Sequence, residues 1–143
     1  MPAMLGALDH VGYLARDFER SVAEVSERLA MPVVRRFERP QFSLRGAYLG
    51  EGEGSFEVFT FTDRELLAQR LPEGDLALDH IAYATADIHG VAAGLRAQGV
   101  RFTGPDLRGE LTEPVDLGGV LHLWTRPSSA GGLSIQLMQR APA

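Results

Sequence analysis

Cysteine is missing from the 143-residue chain, which excludes disulfides, thiolate nucleophiles and cysteine-ligated zinc. Lysine is missing as well. All 14 basic side chains are arginines, so no lysine Schiff base can form. Positive charge is in deficit, with 19 acidic residues and a net charge of −5. That balance argues against a nucleic-acid partner or an anionic membrane surface, both of which need clustered positive charge. No apolar run approaches a membrane span. The opening MPAMLGALDH lacks a basic segment followed by a long apolar one, so neither a signal peptide nor membrane attachment is expected, and a cytoplasmic location is the default.

What remains is an ordinary globular composition, 45% hydrophobic and 23% charged. Within it the few histidines are placed unevenly. Residues 8–13 read LDHVGY and residues 78–83 read LDHIAY. An ungapped overlay of the two segments makes Leu8/Leu78, Asp9/Asp79, His10/His80, Tyr13/Tyr83 and Asp17/Asp87 identical. The following elements agree in kind, as a duplicated unit requires. Asp17 can cap a helix with the apolar face Val22, Val25 and Leu29, and Pro32 follows its end. Asp87 can cap a helix carrying Ile88, Val91 and Leu95, closed by Gly99. Strands are predicted at 33–38, 42–50 and 55–62, then at 100–103, 118–125 and 132–139, with 104–116 as a long loop. The organisation is a first βαβββ module over 1–62, a short helix and linker over 63–75, and a second βαβββ module over 76–143.

Period-two alternation places His10 with Gly12 and Leu14, and His80 with Ala82 and Ala84. Small neighbours leave room beside each imidazole. In the last strand of each module, Glu57 and Gln136 sit in matching frames between apolar residues. Four polar residues at equivalent positions of two repeats fit one common site. His10, Glu57, His80 and Gln136 would give an N2O2 donor set suited to zinc, cobalt, nickel, manganese or iron. Phe59, Phe61, His122, Trp124 and Met138 are candidate substrate-lining residues, and Arg45 and Arg126 candidate contacts for an anionic group. His89, on the second helix, reads as a surface residue.

The doubled LDH strands, the SFEVF strand and the GGLSIQLMQ strand resemble the vicinal oxygen chelate superfamily, also called the glyoxalase/bleomycin-resistance/dioxygenase fold. The resemblance covers nearly the whole chain. It implies an α+β fold in which two βαβββ modules form a curled mixed sheet around a metal-binding cleft. It also implies one divalent ion, held on the first and last strands of each module at His10, Glu57, His80 and Gln136. HLWTRPSSAGGLSIQLMQ is further similar to the end of methylmalonyl-CoA epimerases, with glyoxalase I the next nearest subgroup. Those relatives usually carry a glutamate at the last-strand position, where this chain has Gln136, and the epimerases tend to have glutamine where it has Glu57. The exchange makes Glu57 the expected base and Gln136 a neutral ligand, and the epimerase resemblance implies that Glu38 lies near the place of a second base. The implied activity is that of a metal-dependent isomerase or lyase working through an enediolate on a small-molecule substrate. The alternatives are a non-catalytic antibiotic binder of the bleomycin-resistance type and an iron-dependent dioxygenase. Small members of the superfamily often pair, so a homodimer is expected.

Overall fold

In the computed structural model, which describes residues 5–141, the first helix begins where Asp17 predicts it. The Asp17 carboxylate accepts a hydrogen bond from the Arg20 N–H, and the helix α1 (Phe18–Arg28) follows strand β1 (Leu8–Ala15). α1 buries Phe18, Val22 and Val25 against Ala15, Ala47, Leu49 and Val58. Each of those large side chains contributes roughly 1.5–3 kcal/mol by leaving water. Strands β2 (Val33–Arg39), β3 (Leu44–Leu49) and β4 (Phe56–Phe61) complete the module. Its sheet runs β2-β3-β4-β1, antiparallel except for the parallel β4/β1 pair.

The second module repeats this plan. Strand β5 (Leu76–Ala84) leads into α3 (Ile88–Ala97), capped by Asp87 through the Gly90 N–H at 2.9 Å. A Cβ at Gly90 would lie 2.2 Å from Asp87 Oδ2, so a larger residue there would make the capping carboxylate shift. The helix stops before Gly99, whose φ of +92° is the left-handed turn expected just past a C-terminus. Strands β6 (Phe102–Thr103), β8 (Val120–Thr125) and β9 (Ile135–Arg140) follow, with β5/β9 parallel and β9/β8 and β8/β6 antiparallel. Ile88, Val91 and Ala92 of α3 pack on Phe102, Leu123 and Leu137. The fold is α+β, built from two βαβββ modules with mixed sheets.

One stretch differs from the sequence expectation, and the expected short helix forms in another. The loop predicted over 104–116 ends in a short strand β7 (Val115–Leu117), which pairs with β8 across Gly118-Gly119. Residues 63–75 contain helix α2 (Arg64–Arg70), capped by Asp63. Leu66 and Leu71 bury with Phe59, Phe61, Leu14 and Leu44, so the short helix adds to the core.

By its internal contacts the chain divides into His10–Asp79 and a second unit of residues 5–9 with 80–141. Each LDH segment is thus cut just before its histidine. In the second unit Ala84 N–H donates to the Ala7 carbonyl, and Arg140 pairs with Asp9 at 2.7 Å. In the first unit Arg16 N–H donates to the Asp75 carbonyl, and Arg70 pairs with Asp79 at 2.6 Å. No helix among the described residues is long and apolar enough to cross a membrane.

Candidate metal centre

In the first unit, parallel pairing of β1 with β4 sets Gly12 opposite Glu57. Strand alternation then turns His10 and Glu57 to one face, while Ala15 and Val58 face α1. Both polar groups are withdrawn from water, His10 at 0% and Glu57 at 5% exposure. His10 Nε2 stands 3.6 Å from Glu57 Oε2. That separation exceeds a good hydrogen bond and is close to the spacing, roughly 3–3.5 Å, of two donors that each sit about 2.0–2.2 Å from a shared ion.

The imidazole is held from behind. Tyr48, opposite Glu57 on β3, sets its ring at 78° to His10 with centroids 5.1 Å apart. Phe37 lies 5.1 Å from Tyr48, and the Arg35 guanidinium caps the same ring at 4.9 Å. Phe37 fits because its β-sheet partner is Gly46, where a Cβ would come within 2.5 Å of the Phe37 ring. None of Tyr48, Phe37 and Arg35 was singled out from sequence. Tyr48 could have been found by matching it to Trp124, which occupies the same register against Gln136.

In the second unit, β5 and β9 set Ala82 opposite Gln136, in the same relation as Gly12 and Glu57. His80 and Gln136 are 5% and 3% exposed. Gln136 Nε2 lies 2.9 Å from His122 Nδ1, and the His122 ring stacks on Trp124 at 5.5 Å and 11°. Imidazole and carboxylate donors of the kind a divalent ion takes are therefore buried at His10, Glu57 and His80. The Gln136 amide adds an oxygen donor at the matching position of the second module. This donor chemistry fits the ion that the sequence resemblance implies.

The remaining candidates separate. Met138, His122 and Trp124 are buried on the Gln136 face. Phe59 and Phe61, 5.6 Å apart edge to face, pack among Leu14, Leu66 and Leu71 and support the strand that carries Glu57. Glu38 is opposite Arg45 on the face turned towards α1, away from the Glu57 face. Arg45 lies 4.9 Å over the Phe18 ring and 3.8 Å from Glu19, so it is on that same helix-facing side. Arg126 donates to the Gly109 carbonyl and fastens a loop. His89 is on the surface, 4.0 Å from Glu113. These four residues take no place beside the buried donors of their own units.

Residues 7–111 match the model of the Glyoxalase/Bleomycin resistance protein/Dioxygenase superfamily. No curated protein sequence matches the chain. Among solved structures, methylmalonyl-CoA epimerase from Mycobacterium tuberculosis is similar with a TM-score of 0.81 at 22% identity, covering 98% of this chain and 91% of that one. A selenomethionine methylmalonyl-CoA epimerase structure is similar with a TM-score of 0.77 at 25% identity, covering 97% and 99%. A variant of the Streptomyces coelicolor methylmalonyl-CoA epimerase, in complex with 2-nitronate-propionyl-CoA, gives a TM-score of 0.77 at 21% identity, covering 97% and 100%.

Proposed function

Because the chain belongs to the Glyoxalase/Bleomycin resistance protein/Dioxygenase superfamily, we propose that it is a divalent-metal-dependent isomerase or lyase that moves a proton alpha to a carbonyl. The observation that carries this reading is the buried His10–Glu57 pair at 3.6 Å on adjacent parallel strands. His80 and Gln136, at the corresponding positions of the second module, complete the proposed donor set. A bound divalent ion supplies Lewis-acid stabilisation of the enediolate charge that develops when the alpha proton leaves.

The protein's own groups divide the remaining work. Glu57 takes the proton and returns it, because a carboxylate can do both and its burial keeps bulk water from competing. Gln136 cannot act as a base, since an amide oxygen at neutral pH accepts hydrogen bonds and ligates without holding a proton. His10 and His80 serve as neutral imidazole ligands. Trp124, Met138 and His122, with Phe59 and Phe61 behind Glu57, are proposed to shape the substrate's apolar surroundings. An acyl-CoA with a 2-methyl branch is the proposed substrate class, supported by the epimerase structures to which the chain is similar. A glyoxalase-type isomerisation uses the same first half-reaction. A homodimer belongs to the proposal too, on the resemblance to small superfamily members that pair. Sedimentation at micromolar concentration tests it, and a monomer there rejects it.

Metal analysis of the purified protein and of His10→Ala tests the centre. Near-stoichiometric metal in the parent and its loss in the variant are expected. Sub-stoichiometric parent metal even after reconstitution, with no further loss in the variant, would overturn the centre. Incubating 2-methyl acyl-CoAs with the metal-loaded protein in deuterium oxide tests the chemistry. Label should enter at the alpha carbon, and its absence across that class removes the proposed substrate.

A further inference from the structure

An amide is chemically two-sided, because Oε1 can ligate a metal ion and Nε2 cannot. Gln136 can serve as a ligand only if its oxygen is turned to the ion. A carboxylate has no such requirement, since either oxygen of Glu57 can do the task. The two modules differ at the position where this distinction would be enforced. On β3 the residue two before Tyr48 is Gly46, and on β8 the residue two before Trp124 is His122. The module with the symmetric carboxylate therefore has no side chain there. The module with the asymmetric amide has an imidazole.

The contact itself defines the direction. Gln136 Nε2 is 2.9 Å from His122 Nδ1, and the two residues are 3% and 6% exposed. The amide NH2 can only donate, so His122 Nδ1 accepts and the ring proton resides on Nε2. Stacking on Trp124 at 5.5 Å and 11° fixes the plane of the ring. Register makes His122 the diagonal neighbour of Gln136 across the antiparallel β8/β9 pair, within reach of a long side chain.

We propose that His122 is a positioning residue for Gln136: it holds the amide nitrogen and so presents Oε1 as the ligand atom. This rests on the reading of Gln136 as a metal ligand. Without His122 the amide can turn either end to the ion, and affinity falls. Loss of such an outer partner typically weakens metal binding by roughly 10–100-fold.

Chelator-competition titrations with Co²⁺ on the parent, Gln136→Ala, His122→Ala and His122→Ala/Gln136→Glu test the assignment. His122→Ala should bind more weakly than the parent by roughly 10–100-fold. The double variant should recover most of that loss, because a carboxylate at position 136 needs no orienting partner. Equal affinity in parent and Gln136→Ala would overturn the ligand role of Gln136, and with it the proposal. Weakened Gln136→Ala with unchanged His122→Ala would overturn the positioning role alone. Failure of the double variant to recover would mark His122 as merely structural and also overturn it. Should a variant not fold, long-range ¹⁵N–¹H correlation on the metal-free parent decides by itself. The Nε2–H tautomer of His122 is expected, and the Nδ1–H tautomer rejects the proposal.

Discussion

Arg70 and Asp79 are joined at 2.6 Å, with their side chains only 13% and 12% exposed. The aspartate is the residue before His80, and its repeat counterpart Asp9 is paired with Arg140 at 2.7 Å. The aspartate of each LDH segment is thus an ion-pair residue, and its carboxylate fixes the strand just ahead of the histidine. A charge-assisted, largely buried bond of this kind contributes about 1.5–3 kcal/mol. Asp79→Ala should lower unfolding free energy by about that amount, read by urea titration. Arg20→Ala, which breaks the exposed Arg20–Glu24 pair at 3.3 Å, should cost no more than about 0.5 kcal/mol. Equal losses in the two variants would reject the special role of Asp79.

The long loop before β7 is held by arginines. Arg101 pairs with Glu110, Arg126 donates to the Gly109 carbonyl, and Arg96 donates to the Thr112 carbonyl. The hydrogen bond from Arg101 holds the Glu110 carboxyl below its ordinary value of 4.5, with the nearby charges of Arg101, Arg126 and Arg96 acting in the same direction. A depressed folded-state value means that the stabilisation is present above the unfolded value and disappears as pH falls through the folded one. The same hydrogen bond to Glu110 shifts the Arg101 guanidinium upward, which is not felt in the acid range. Melting curves of the parent and Glu110→Gln should therefore differ slightly at neutral pH and converge in acid. Since the pair is on the surface, the gap should also shrink in high salt. A gap independent of both pH and salt would reject this account.

Local signals in the sequence explain why so much of the site was legible. Asp17, Asp87 and Gly99 act within one helical turn of themselves, so their roles as caps and stop were readable. The candidacy of His10 and Glu57 came from their equivalent positions in the repeat, whereas their common face depends on the β1/β4 pairing that sets Gly12 opposite Glu57. Tyr48, Phe37 and Gly46 were not legible because their roles arise from cross-strand register, which no short window contains. Strand β7 is too short to show alternation and exists through its pairing with β8. The partners of Arg45 and Arg126 were not legible for the same reason: a long flexible side chain carries no local sign of the group it will reach.

Gly46 gives that non-local wall a direct test. A Cβ there would lie 2.5 Å from Phe37 Cζ and 3.1 Å from Phe59 Cβ, both closer than ordinary contact. Phe37 must move, and it is the ring that lies against Tyr48, whose edge meets His10. Gly46→Ala should cost about 1–3 kcal/mol of stability and weaken metal binding measurably. Gly94→Ala, on α3 with open space around it, should instead be neutral or stabilising by up to about 1 kcal/mol. Unaltered metal affinity in Gly46→Ala would show that the Phe37–Tyr48 wall does not hold His10.

Glu57→Gln separates ligand from base. The amide keeps an oxygen that can ligate but loses the ability to carry a proton. Metal content should therefore survive better than in Glu57→Ala, where the donor is gone. Alpha-proton exchange of a 2-methyl acyl-CoA in deuterium oxide should fall by about 10²–10⁴-fold, the usual worth of a positioned general base. The rate should be compared at equal metal occupancy, so that a deficit reflects proton transfer rather than an empty centre. Undiminished exchange at full occupancy would move the base away from Glu57. Because Gln136 cannot take that part, the search would then turn to water or to the substrate itself.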